Sequence, residues 1–496
     1  MRAGRIDRRV WAYAGLAVAQ ACTTPPPSAT TIVVPVKAAT SALGPQPAFL
    51  LKDIYTGTTN VSSYPHGMVA VGSTVYFAAT TTAAGMELWK TDGTTGGTVA
   101  VKDISPLTVN SSNPTCLTVF AGALYFYAAD TAGSNGFFRS DGTPEGTVLL
   151  KRVRLLSSCP AIALGAMFFA GTQTPTGQEL WRSDGTADGT MLVKDINPGA
   201  SGSSPDGFLE LAGVLYFTAN DGSTGTELWR SDGTADGTAM VADIAPGSAS
   251  SSPQRLTALG EVILFSATDV VAGTELWSSD GTATGTRLVK DVAPGAVGSN
   301  PWRLGIVGGR FIFGANDGTA GAELWKSDGT EAGTVLVKDI FPGAGSSSPA
   351  VLAPSGGSLY FSATDGVTGK ELWKTDGTSS GTVLVKDIFP GAGGSSPAQA
   401  VDLGGVLVFS AGGMPAGNTE LWRSDGTAAG TVLVKDILPG ASPSLPTNLV
   451  AVGSVAFFSA DNGVVGTELW KTDGTTAGTV LLKDLEPGAR SGGPEY

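Results

Sequence analysis

A seven-residue phrase, Asp-Gly-Thr-x-x-Gly-Thr, recurs nine times between Asp92 and Asp473. An aromatic residue stands three places ahead of each copy: Trp89, Phe138, Trp181, Trp229, Trp277, Trp325, Trp373, Trp422 and Trp470. The steps between these aromatics are 49, 43, 48, 48, 48, 48, 49 and 48 residues. A period of this size restricts the chain to a solenoid, a propeller or a repeat array.

One unit reads as four short strands. In copy six these are 304–308, 309–315, 323–327 and 334–340, separated by Gly308-Gly309, Asn316-Asp317-Gly318 and Asp328-Gly329-Thr330. Apolar runs such as Phe311-Ile-Phe suit strands covered on both faces. Four-stranded units of this length describe a β-propeller. The expected fold is therefore an all-β ring of nine four-stranded blades, with eight blades and one degenerate unit as the alternative. In the Asp-Gly-Thr turn, Asp accepts backbone N–H bonds two residues on and Gly takes positive φ. Counting outward from it sets Ser327 opposite Thr334, Trp325 opposite Leu336 and Glu323 opposite Lys338. The last pair, with Glu371–Lys386 and Glu179–Lys194, is read as a cross-strand ion pair. One Asp per turn, without neighbouring carboxylates, makes a poor calcium cage, so no metal is expected.

Formal net charge is −13. Residues 1–21 carry a net +3, so the remainder carries −16. An acidic body repels phosphate backbones, which argues against nucleic acid as a partner. Residues 1–21 read as an export signal: Arg2, Arg5, Arg8 and Arg9 precede an apolar run from Val10 to Ala19. Cleavage after Ala21 and lipidation of Cys22 compete. The lone cysteine at the head of a Thr/Pro/Ala-rich tether, 22–48, favours lipidation, which would confine membrane contact to an N-terminal anchor. The expected location is outside the cytoplasm, as an outer-membrane lipoprotein or a secreted protein. Residues 49–490 form the repeat domain and 491–496 a short tail.

Leu50–Ile54 is a fourth-strand segment ahead of any first unit, so ten such segments serve nine units. The surplus strand could tie the ends of a ring. Copy two departs from the pattern, with Gly136-Phe-Phe for Glu-Leu-Trp, and the Asp-Ile-x-Pro-Gly loop after it is missing. Drift at a tolerant place is the plainer reading of that irregularity; a site is the alternative.

Glu-Leu-Trp-x-x-Asp-Gly-Thr, in eight full copies over 49–490, resembles the motif of the bacterial ELWxxDGT-repeat proteins, sometimes labelled hyalin-like. The resemblance implies an exported, propeller-like protein of undefined biochemical role. The Asp turn is also loosely similar to the Asp-box hairpin of sialidases, but there the aromatic follows the Asp, and no sialidase activity is implied.

For function the expectation is a non-enzymatic binding or scaffolding propeller of the cell envelope, with a glycan or an envelope protein as partner and no cofactor. His66 is the sole histidine, so a His-based triad or a multi-His zinc site cannot be assembled, and no catalytic residue is assigned. The alternative is a propeller-type glycoside hydrolase or lyase using carboxylates. Each first strand opens with Pro-x-x-apolar, and the two x slots should line the entrance to the channel. They hold His66, Arg255, Trp302, Arg303, Gln399 and Asn448, the candidate ligand-binding residues. Arg255 and Arg303 fill one slot in consecutive copies, with Trp302 beside them, and suit a carboxylate or phosphate. Cys116 and Cys159 lie ten residues before Phe126 and Phe169, hence in one slot of consecutive blades, and a disulfide between them is expected.

Overall fold

Alternating apolar and small residues over six to eight positions make strands that need cover on both faces, and the chain supplies it by stacking one sheet on the next. In the computed structural model, the described residues are 62–483 apart from 82, 95, 107–110, 156–158, 414–417 and 465. They form nine sheets, each built from four consecutive antiparallel strands, with one extra two-residue strand, Arg154–Leu155, on the third. The result is the nine-bladed propeller expected from the repeat. The export signal, Cys22, the tether, the strand at Leu50–Ile54 and the tail lie outside the described residues.

The cores sit between blades. Leu304, Ile312, Leu324, Val337 and Ile340 of blade 6 pack against Leu359, Phe361, Ala363 and Trp373 of blade 7. The second strand of every blade contributes at least one fully buried phenylalanine, from Phe77 to Phe458. Each such ring contributes roughly 1.5–3 kcal/mol by leaving water. The ninth core joins Phe457, Leu469 and Leu482 to Val75, Phe77 and Trp89 of blade 1, which closes the ring. The fourth strand of the last blade is the C-terminal copy, Val480–Lys483.

Within blade 6 the strands are Trp302–Val307, Arg310–Asn316, Ala322–Ser327 and Val335–Lys338. Trp325 pairs with Leu336 as expected, and the Ser327 and Thr334 hydroxyls meet at 2.7 Å. Asp328 Oδ1 accepts from the Thr330 N–H at 3.0 Å and its hydroxyl at 2.6 Å. Gly329 takes a φ of 87°. A Cβ on Gly333 would lie 1.9 Å from Asp328 Oδ1, so both glycines of the phrase are required, one for its φ and one for a close approach.

The expected Glu–Lys ion pair does not form. A bulge between Leu324 and Trp325 shifts the register, and Lys338 pairs with Leu324 instead. The same shift sets Lys386 opposite Leu372 and Lys194 opposite Leu180. One added residue sends a side chain to the other face. Lys338 Nζ donates to the Thr382 carbonyl of the next blade at 2.8 Å. Glu323 is fully buried. It accepts from the Ile340 N–H at 2.7 Å and from the N–H and hydroxyl of Ser347 at 2.8 and 2.7 Å. Ser347 lies in the loop entering blade 7, so the carboxylate clamps one blade to the next. Glu87, Glu179, Glu227, Glu275, Glu371 and Glu420 do the same with Ser112, Ser203, Ser251, Ser299, Ser395 and Ser444. Glu468 closes the ring by accepting from the Ser63 hydroxyl at 3.0 Å.

Blade 2 has no such clamp. Gly136 stands where the glutamate would be, and Leu149 Cδ1 fills the space, 2.2 Å from a Cβ placed there. Leu155 pairs with Gly171 where other blades bring in the clamp serine. It packs with Val153, Tyr127, Phe137 and Phe169 in an apolar junction.

Candidate functional site: the axial mouth

First strands of neighbouring blades lie against one another, as His66–Val71 does between Thr115–Phe120 and Thr447–Val452. Their starts therefore ring one end of the channel. Pairing breaks near the start in every blade but the third, whose short first strand Ala161–Ala163 pairs without interruption; Gln254 pairs with Ser266, but the ladder resumes only at Thr257–Leu264. The residue in the break takes a left-handed backbone in most blades, with φ of 64° at Gly67, 55° at Cys116, 67° at Gly207, 58° at Arg255, 49° at Gln399 and 57° at Asn448. Non-glycine residues adopt this region rarely, and functional sites are enriched in such positions. Arg303 and Val351 differ: they pair with Phe313 and Phe361, and the bulge follows one residue later.

Six residues singled out from the sequence all lie on this mouth, in different states. Arg255 is exposed, and its Nη1 donates to the Pro301 carbonyl of blade 6 at 3.3 Å, next to Trp302. Arg303 is exposed. Ion pairs among the described residues are Arg152–Asp130 and Arg310–Asp328, so neither mouth arginine has a carboxylate partner there. Trp302 is half-buried; its Nε1 donates to the Pro349 carbonyl at 2.8 Å and its ring covers Gly314, where a Cβ would lie 2.2 Å away. The indole thus braces blade 6 against blade 7. Gln399 Oε1 accepts the Asn448 N–H at 3.2 Å across the next pair of blades but one. His66 Nδ1 lies 2.9 Å from the Tyr64 carbonyl. Cys116 and Cys159 are joined, with Cα atoms 4.9 Å apart, inside the range a disulfide needs.

Clefts open between blades at this mouth. One of about 460 Å³ runs past Asp206, Thr218 and Arg255. Another of about 190 Å³ lies on the other side of Arg255, lined by Ser266, Thr274 and Asn300. Both are mainly polar, as hydroxyls, amides and main-chain groups line them.

Electrostatically the carboxylates fall into two sets. Burial pushes the clamp glutamates, Glu323 among them, above the ordinary carboxylate range, against the pull of their serine and backbone donors. In the turns, the threonine hydroxyl and N–H hold Asp92, Asp184 and Asp376 below it. The clamp is what sequence reasoning missed. Its signal was present: a serine followed two residues later by proline lies 24 or 25 residues after each of seven glutamates. Copy two lost the glutamate and the Asp-Ile-x-Pro-Gly segment together, while its sequence keeps Ser158-Cys159-Pro160.

No protein-family model matches this chain, and no curated protein sequence matches it. Solved structures do. A puromycin hydrolase aligns over 87% of this chain and 57% of its own, at 13% identity and a TM-score of 0.37. Prolyl endopeptidases align over 65% and 49%, at 14% identity and a TM-score of 0.40. Oligopeptidase B from Leishmania major aligns over 66% and 48%, at 10% identity and a TM-score of 0.39. The chain thus spans about half the length of the structures it matches. These neighbours are enzymes, and none of them supports the expectation of a non-enzymatic binding scaffold. At such scores they assign no activity to this chain.

Proposed function

We propose that the axial mouth recognises an extended ligand bearing carboxylates, an acidic polysaccharide being the plainest case. One observation carries the reading: Arg255 and Arg303 stand exposed in consecutive blades, without carboxylate partners among the described residues, a local positive patch on a body whose net charge otherwise opposes anions. Guanidinium groups match carboxylates in a planar, two-bonded geometry. The clefts either side of Arg255 give a polymer room to lie between blades. The reading concerns the binding step alone, which a hydrolase needs as much as any other protein. It is consistent with an exported protein of the ELWxxDGT type acting in the cell envelope, and it leaves nucleic acid aside.

Titration calorimetry with polygalacturonate tests it. Saturable binding is expected, weakened at least about tenfold in an Arg255→Ala, Arg303→Ala variant, since hydrogen bonds to charged groups contribute about 1.5–3 kcal/mol each. Equal binding by the variant would remove the proposal. Assaying the same mixtures for new reducing ends shows whether cleavage accompanies binding.

A further inference from the structure

Neighbouring blades enclose the same niche at the mouth more than once, so its walls can be compared slot by slot. Between blades 4 and 5 they carry Asp206, Thr226, Gln254 and Arg255. Between blades 7 and 8 the same slots hold Ala350, Lys370, Ala398 and Gln399. This second niche measures about 410 Å³, within the ~300–1,000 Å³ usual for ligand pockets. Val351, Leu352, Pro397 and Ala400 add aliphatic wall, and no carboxylate lines it among the described residues. Val351 is 46% exposed, so the wall is open to solvent.

Lys370 is the charged group of this niche, and it is half-buried. The equivalent residue is uncharged in every other copy. Lys370 lies two residues from Leu372 on one strand, hence on the same face. Leu372 packs against Leu407 and Phe409 of blade 8, so Lys370 is turned toward that blade. The neighbouring lysines of blade 7 are spent on the ring: Lys374 Nζ donates to the Gly426 carbonyl at 2.9 Å and Lys386 Nζ to the Thr431 carbonyl at 2.7 Å. Lys370 Nζ forms no hydrogen bond or ion pair with a described residue. Gln399 Oε1 accepts the Asn448 N–H, which leaves the amide NH2 to donate.

We propose that the niche between blades 7 and 8 binds a carboxylate carried on a compact branched aliphatic body. The carboxylate pairs with the Lys370 ammonium, and the body rests on Val351, Leu352 and Pro397. An ammonium on a flexible stem reaches an anion without the fixed fork of a guanidinium, so a small acid can settle its apolar end first. The site goes beyond the polymer reading of the mouth, because it uses neither Arg255 nor Arg303 and selects for an apolar group. A free branched acid and the C-terminus of a peptide ending in leucine share this chemistry.

The test is titration calorimetry of the full oxidised chain with N-acetyl-L-leucine. Saturable binding is expected. N-acetyl-L-leucinamide, which lacks the carboxylate, and acetate, which lacks the body, should each bind at least about tenfold more weakly. Lys370→Gln keeps most of the stem and removes the charge, and should weaken N-acetyl-leucine by a similar factor; Lys370→Arg should retain binding. Val351→Ser, at an exposed position, should weaken it as well. Arg255→Ala, two blades away, should leave it unchanged, which separates failure here from failure of the polymer reading. 4-Methylpentanoate and Gly-Gly-Leu present the same acid end on a free acid and on a peptide; both should bind, and the tighter identifies the source. Absence of N-acetyl-leucine binding, equal binding of the amide, or unchanged affinity in Lys370→Gln would overturn the proposal.

Discussion

Between blades 6 and 7 the contact is polar at its centre; between blades 2 and 3 it is apolar and covalent. In the first, the Glu323 carboxylate gathers donors from both blades, and Lys326 and Lys338 reach carbonyls of blade 7. In the second, Leu149 and Leu155 fill the clamp's place and Cys116 is joined to Cys159, while Arg152 pairs with Asp130 within blade 2. A buried carboxylate specifies its partners closely and is costly to leave unpaired. An apolar contact is tolerant of position, so the unclamped junction needs another device to hold it in register. The disulfide supplies that constraint.

The comparison can be broken most sharply at the covalent side. Removing the bridge in a Cys116→Ser, Cys159→Ser variant should destabilise the ring by about 4 kcal/mol in the chain-entropy model for a loop of this length, read by chemical denaturation. A loss below about 1 kcal/mol would show that the apolar contacts hold the junction alone. On the clamped side, Glu323→Ala orphans several buried donors and should cost about 3 kcal/mol. A smaller loss for Glu323→Gln, which keeps an acceptor, would sharpen the assignment to hydrogen bonding. Arg152→Ala removes a pair whose arginine is largely exposed and should cost less than about 1 kcal/mol. If it matches the loss of the bridge, the end of blade 2 is fixed by this ion pair as firmly as by the disulfide.

The smallest effect is a pH dependence. The clamp glutamates have raised values in the folded ring, so their contribution to stability is full below their ordinary 4.5 and is lost as pH rises through the raised values. The turn aspartates are lowered, so theirs is present above their ordinary 3.8 and lost as pH falls through the lowered values. The melting temperature should therefore be higher near pH 4.5 than at pH 8, and should fall again in stronger acid. A melting temperature that declines steadily from pH 8 downward would mean that the clamps are not buried as described.

Blade number and strand order were legible because the aromatic period and the Asp-Gly-Thr turn are local signals with fixed spacing. The pairing of Trp325 with Leu336 followed from the turn alone. Beyond Trp325 the count failed, because a bulge leaves no mark on a short strand whose inward and outward residues are both half-apolar. Glu323 was then read as the ion-pair partner of Lys338, when its hydrogen-bond partner Ser347 lies 24 residues away and belongs to the next blade. The mouth residues were located by position, since every first strand begins at the same end. What each one touches depends on its neighbour: Trp302 could not be read as a brace without Gly314 and Pro349. Lys370 stands out in its slot as charged, but the aliphatic wall that the next blade sets beside it could not be read from its own strand.

Each of the nine sheets is made of four consecutive strands, and blade 9 meets blade 1 through side chains, as in Glu468 with Ser63. The seam is thus of the same kind as the other clamped junctions, and the chain should tolerate being opened at one of those instead. A circular permutant that joins residues 483 and 62 through a short linker and begins at Asp206 keeps every sheet intact. By the same logic, duplication or deletion of one 48-residue unit changes the circumference without stranding half a blade, so the number of blades is itself a heritable variable.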